Sequence, residues 1–157
     1  MSRLFTVVRP ALVGPVLIPT LLLTLVGCSS GATLPEPGPD AGSALCTALL
    51  TRLPKQVLDR QRTPLDVAGA AAWGDPAIVL RCGVPAPGPS GTCLLINGQE
   101  WVFTETKAAF RFVTHDRDPA VEVTIPTAVN RTTAPGALVD LEPAVKPLPE
   151  TKAITCR

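Results

Sequence analysis

Asn97-Gly98, set between two apolar runs, constrains this chain more than any other pair of residues. A two-residue hairpin of type I′ needs positive φ at both central positions, and Asn-Gly adopts that with the least strain. Thr92–Ile96 and Gln99–Thr104 are therefore expected to be antiparallel neighbours. Period-two patterning continues on both sides of them. Ala77–Val84 is apolar and β-branched, and Ala108–Thr114 sets Phe110 and Phe112 on one side. In Ala120–Ile125, Val121, Val123 and Ile125 face one way, Glu122 and Thr124 the other. Short strands at Val67–Trp73 and Lys152–Cys156 are further candidates.

Helical spacing is confined to two places. Ser43 is placed to cap a helix over Ala44–Leu53, with Cys46, Leu49, Leu50 and Leu53 on one face and Pro54 as its stop. Ala137–Leu141 forms a second, short helix, limited by Pro143. The expected fold is α+β: a mainly antiparallel sheet of about five strands with one or two helices on a face. At 157 residues the chain has room for one such domain.

The amino terminus reads as an address. Arg3 and Arg9 precede the uncharged, mostly apolar stretch Ala11–Val26, which ends at Leu25-Val26-Gly27-Cys28. This is the order of a secretory signal peptide. The stretch is short for a membrane span and carries Pro15 and Pro19. The Leu-Val-Gly-Cys tetrad resembles the lipobox of bacterial lipoproteins, which implies cleavage before Cys28 and diacylglycerol on its sulfur. Residues 1–27 are then leader, and 28–41 are the lipidated Cys28 and a flexible Pro/Gly-rich tether. Residues 42–157 are the globular domain. Without the leader, twelve basic residues face thirteen acidic ones. Attachment to the extracytoplasmic face of a cell membrane then falls to the lipid, not to a basic surface.

With Cys28 acylated, Cys46, Cys82, Cys93 and Cys156 remain, an even set for two disulfides in an exported chain. Three pairings are possible. The Pro/Gly loop between the strands carrying Cys82 and Cys93 favours a local bridge, which leaves Cys46 for Cys156. Zinc is not expected, because no close Cys pair exists and the chain has one His.

Chemistry-bearing residues are few. The near-balanced charge argues against nucleic acid as a partner. No phosphate loop, dinucleotide fingerprint or other cofactor motif is present in the sequence. Ser90 and the single histidine, His115, do not sit in a nucleophile-elbow pattern. His115-Asp116-Arg117-Asp118 reads as a solvated turn with local ion pairing, and alternatively as a binding loop with Arg117 as a carboxylate or phosphate hook. Arg81 and Glu122 interrupt apolar strands and pair across the sheet if they point the same way; a ligand clamp is the sharper reading. Trp73 and Trp101 are core residues or sugar-stacking platforms. The candidate binding residues are thus Trp73, Asp75, Arg81, Trp101, Arg117 and Glu122.

Several motifs follow one another in the order of a known family. These are Trp73-Gly74-Asp75-Pro76, Val79-Leu80-Arg81-Cys82-Gly83-Val84, Cys93 with Asn97-Gly98 and Trp101, and Arg117-Asp118-Pro119-Ala120-Val121-Glu122-Val123. Over most of Cys46–Cys156 the chain resembles the actinobacterial exported family catalogued as domain of unknown function 3515. The resemblance implies a small, exported, often lipidated cell-envelope protein and implies no activity. The expected function is a non-enzymatic envelope lipoprotein that binds a protein partner or a wall component. The alternative is an envelope hydrolase or transferase using carboxylates around Asp75, Asp116 or Glu122.

Overall fold

The computed structural model describes residues 34–151 and Cys156. Helix α1 (Ala44–Arg52) is followed by strands β1 (Gln56–Val57), β2 (Arg60–Thr63), β3 (Ala70–Trp73), β4 (Ile78–Val84), β5 (Cys93–Ile96), β6 (Gln99–Glu105), β7 (Ala109–Thr114) and β8 (Ala120–Pro126), then helix α2 (Gly136–Val145). The strands form one sheet in the order β1-β2-β3-β4-β8-β7-β6-β5, and every neighbouring pair is antiparallel. Eight strands replace the expected five or so. Strand β3 falls within the candidate Val67–Trp73, β1 and β2 are additions, and all three lack apolar alternation. In β2 the residues are Arg-Gln-Arg-Thr and none is fully buried, while β3 is Ala-Ala-Ala-Trp, buried on both faces. The candidate strand at Lys152–Cys156 falls largely on 152–155, outside the described residues.

Both helices pack on one face of the sheet. Cys46 and Leu49 of α1 and Leu138, Leu141 and Val145 of α2 share a core with Trp73, Ile78, Leu80, Trp101, Phe110, Phe112, Val121, Val123 and Ile125. The Ser43 hydroxyl accepts from Cys46 N at 3.2 Å and so caps α1. Helix α2 runs four residues beyond its expected end, with Pro143 inside it. Proline removes one main-chain hydrogen bond. Pro143 lies on the exposed side, and burial of Leu141, Ala144 and Val145 on the other side outweighs that loss.

Trp73 and Trp101 are fully buried, and Trp73 Nε1 donates to Pro54 O at 3.1 Å. Neither ring faces solvent, so the sugar-stacking alternative falls and the core reading stands.

The disulfide pairing differs from the favoured one. The bridges are Cys46–Cys82, joining α1 to β4, and Cys93–Cys156, joining β5 to the carboxyl-terminal segment. Strand order is the reason. Between β4 and β5 lie β8, β7 and β6, so the two strands stand four spacings, about 19 Å, apart. A bridge needs Cα atoms within about 7 Å. Closeness in sequence between Cys82 and Cys93 is spent on a loop that crosses the sheet.

The second half of the expected tether belongs to the folded unit. At Gly83 strand β4 bulges against β8, and Asp40 N donates to Gly83 O at 3.0 Å. Gly38 packs on the same carbonyl, and Arg81 Nη1 donates to Glu36 O at 2.6 Å. The chain is thus fixed to the sheet from Glu36 onward, ahead of the expected boundary at 42. Gly83 has φ +79°, and a Cβ there would stand 2.3 Å from Asp40 C. Gly98 has φ +80° with open space around it. Gly98→Ala is therefore expected to cost about 1 kcal/mol of backbone strain, and Gly83→Ala about 2 kcal/mol or more. Gly83→Ala should also speed proteolysis within residues 36–42. Urea denaturation and limited proteolysis of the two variants check this; equal effects would mean that the 36–41 segment is not held by the bulge.

Candidate binding site

The β7–β8 turn brings Arg117 inward. It was expected to be a solvated turn, yet both His115 and Arg117 are buried. His115 Nδ1 lies 3.1 Å from Pro87 O. Arg117, 4% exposed, is enclosed because the chain after α2 returns across it. Asp118 N donates to Pro149 O and Thr151 N to Asp116 O, and Arg117 forms a β-bridge with Glu150.

The guanidinium partners are specific. Nε donates to Gln99 Oε1 at 2.6 Å. Nη1 donates to Lys146 O at 3.2 Å and Leu148 O at 2.9 Å, beyond the end of α2. Nη2 meets a Glu150 carboxylate oxygen at 3.1 Å. Asp116 Oδ1 lies 3.7 Å from Nε and also accepts from Gln99 Nε2. Gln99 was not among the candidates. It is a buried amide that opens the strand after the Asn97-Gly98 turn, and its amide type is the one signal the sequence offered.

Arg117 and Gln99 line a cleft of about 130 Å³. The turn residues Asn97 and Gly98, Glu142 and Lys146 at the α2 end, and the exposed Glu150 complete its lining. Lys146 Nζ pairs with Glu142 at 3.2 Å. A second groove, of about 200 Å³, is apolar and lies between Leu94, Phe103, Phe110, Phe112 and Pro135, with Arg131 over the Phe103 ring at 5.7 Å.

The other candidates do not join this cleft. Arg81 and Glu122 face each other in register on the sheet face away from the helices. Arg81 Nε and Nη2 donate to Glu122 Oε1 at 2.9 and 2.6 Å. Arg111, which sequence reasoning missed, donates from Nε to Glu122 Oε2. It lies diagonally across from Glu122, since Val113 is the direct partner. Its alternation along β7 was the available signal. With Arg81 Nη1 taken by Glu36 O, the trio is a structural bridge.

Asp75 lies exposed in the β3–β4 turn. The register pairs Val79 with Thr124 and Val84 with Ala120, so that turn sits at the end of the strands opposite Arg117. Asp75, Asp116 and Glu122 therefore occupy one end, the other end and the middle of the sheet and do not converge. Ser90 Oγ pairs with Thr92 Oγ1 at 2.9 Å, as a turn residue does.

Cys93, Glu100 and Cys156 bring two sulfurs and a carboxylate within 4.8 Å of one another. The sulfurs are bonded to each other, and Glu100 Oε2 accepts from Cys156 N at 3.2 Å. The carboxylate caps the end of the chain there. Among the described residues, no helix is long and apolar enough to cross a membrane.

Fold and site together define a disulfide-stapled domain of one antiparallel sheet and two helices, with a small charged cleft at one end. The chain matches the family model described as Protein of unknown function (DUF3515) over residues 10–153, and it belongs to that family. No curated protein and no solved structure matches it.

Proposed function

We propose that this protein is a lipid-anchored module on the outer face of a bacterial, specifically actinobacterial, cell membrane, which binds an envelope protein or wall component without transforming it. The observation that carries the reading is a thiol count. The chain has five cysteines, and four pair with one another. Cys28 is left over, at the end of an apolar leader and after a small residue. An odd cysteine in an exported chain calls for a chemical fate. Thioether linkage to diacylglycerol gives it one, and two or more acyl chains hold a protein stably on a bilayer where one chain does not.

Binding, not catalysis, is supported by the scatter of the three carboxylates, Asp75, Asp116 and Glu122, that a hydrolase or transferase reading would use. General acid–base work needs two groups aimed at one reacting atom. Asp75, Asp116 and Glu122 are separated by the length of the strands, and the last two are engaged with Gln99 and with Arg81 and Arg111.

The test is expression from the chain's own leader in a bacterium that processes lipoproteins, with an alkyne-tagged fatty acid. The expected product starts at Cys28, carries the tag and sediments with membranes. Cys28→Ala should lose the tag and retain residues 1–27. An untagged product that still begins at Met1 and stays in the cytosol overturns the proposal.

A further inference from the structure

We propose that the cleft beside Arg117 is a binding site for the terminal carboxylate of a small residue, and that Glu150 is its exchangeable resident occupant. The inference rests on reading the protein as a binding module, and not on its lipid anchor.

Arg117 is held from behind and open in front. Three of its five N–H groups go to Gln99, Lys146 O and Leu148 O, which fix the plane of the guanidinium. Nη2 meets Glu150, which lines the cleft together with Arg117, and that is its one partner among the described residues. The two side chains differ sharply in burial: that of Arg117 is 5% exposed, that of Glu150 72%. A buried guanidinium gains much from an anion, whereas an exposed glutamate held by one contact gains little by staying. Such a pair exchanges readily with an incoming carboxylate that makes a second contact.

Lys146 offers that contact. Its ammonium is 70% exposed, lines the same cleft and is held only by Glu142 four residues before it. A carboxylate with one oxygen on Arg117 Nη2 can take the Lys146 ammonium on the other, which Glu150 does not do in the structure. The released Glu142 carboxylate is then free to accept an N–H of the ligand. A cleft of about 130 Å³ is well below the range of drug-sized sites, so it admits one small residue and not a sugar chain or a nucleotide.

The probe is N-acetyl-alanyl-alanine, titrated into the full chain in detergent. The readouts are the Arg117 Nε–H and Gln99 side-chain amide signals in nitrogen-15 NMR. Expected are saturable shifts of both signals, none with the carboxyl-terminal amide of the same dipeptide, and binding about tenfold tighter in Glu150→Gln, since the internal competitor is gone. Lys146→Met should weaken binding while leaving the fold intact. Propionate matching the dipeptide would keep the carboxylate site and assign it to free acids. No shift in wild type or Glu150→Gln up to tens of millimolar, or equal shifts with the amide, overturns the proposal. An acyl group absent from Cys28 leaves this titration unchanged, so the two failures are separable.

Discussion

Converting Cys46 and Cys82 together to alanine is expected to lower the free energy of unfolding by about 4 kcal/mol, from the 36-residue separation that the bridge closes. Both sulfurs are fully buried between α1 and β4, so the folded state gains no freedom when they part. The whole loss appears as a less restricted unfolded chain, with a small cavity added. The pair Cys93 and Cys156 closes a longer separation of 63, for which the same relation gives about 4.3 kcal/mol. That figure is an upper bound, because position 156, near the end of the described residues, then gains freedom in the folded state too. Cys93→Ala with Cys156→Ala is therefore expected to cost less than Cys46→Ala with Cys82→Ala, despite the longer loop. Urea denaturation of the two double variants measures the order, and non-reducing peptide mapping checks the pairing beneath it. A Cys46/Cys82 variant within 1 kcal/mol of wild type, well short of the about 4 expected, would contradict the argument.

Which sulfur meets which shows where sequence reasoning stops. Alternation in 77–84, 99–104, 108–114 and 120–125 exposes four strands, because one face of each is pressed on the core, and the turn supplies 92–96 as a fifth. The Asn97-Gly98 turn follows from positive φ, observed at both residues. Strand order is another matter. It sets β8 beside β4 and carries β5 to the far edge, and no local pattern encodes that. The disulfide assignment failed for this reason alone.

Polar residues divide in the same way. Opposite parity along apolar strands was enough to bring Arg81 to Glu122, because both point away from a face that must be apolar. The burial of Arg117 was illegible. Besides Gln99 and Glu150, it is held by the main-chain carbonyls of Lys146 and Leu148, which any residue types would supply, delivered by a helix that continued past a proline. A side chain recognised by backbone leaves no mark on its partners' identities.

The helix-free face of the sheet carries the second large effect. Glu122 is 3% exposed and holds Arg81 and Arg111 at once. Glu122→Ala leaves the Arg81 guanidinium largely buried without its anion, and breaking one side of a buried pair costs about 3–5 kcal/mol. Arg111 is 45% exposed and turns to water, so the lower end of that range, about 3 kcal/mol, is expected. Replacing the pair by apolar residues of similar volume is a different experiment. Arg81→Met with Glu122→Leu removes both charges, and stability should return to within about 1 kcal/mol of wild type, as buried ion pairs barely repay their desolvation. One property should be lost only in this variant. Arg81 Nη1 also holds Glu36 O, a contact that Glu122→Ala keeps, so the 36–41 segment should open to protease in the double variant. Denaturation and proteolysis are thus expected to part company. A double variant as unstable as Glu122→Ala would mean that the bridge contributes net stability, and a protected segment would mean that Gly83 alone secures it.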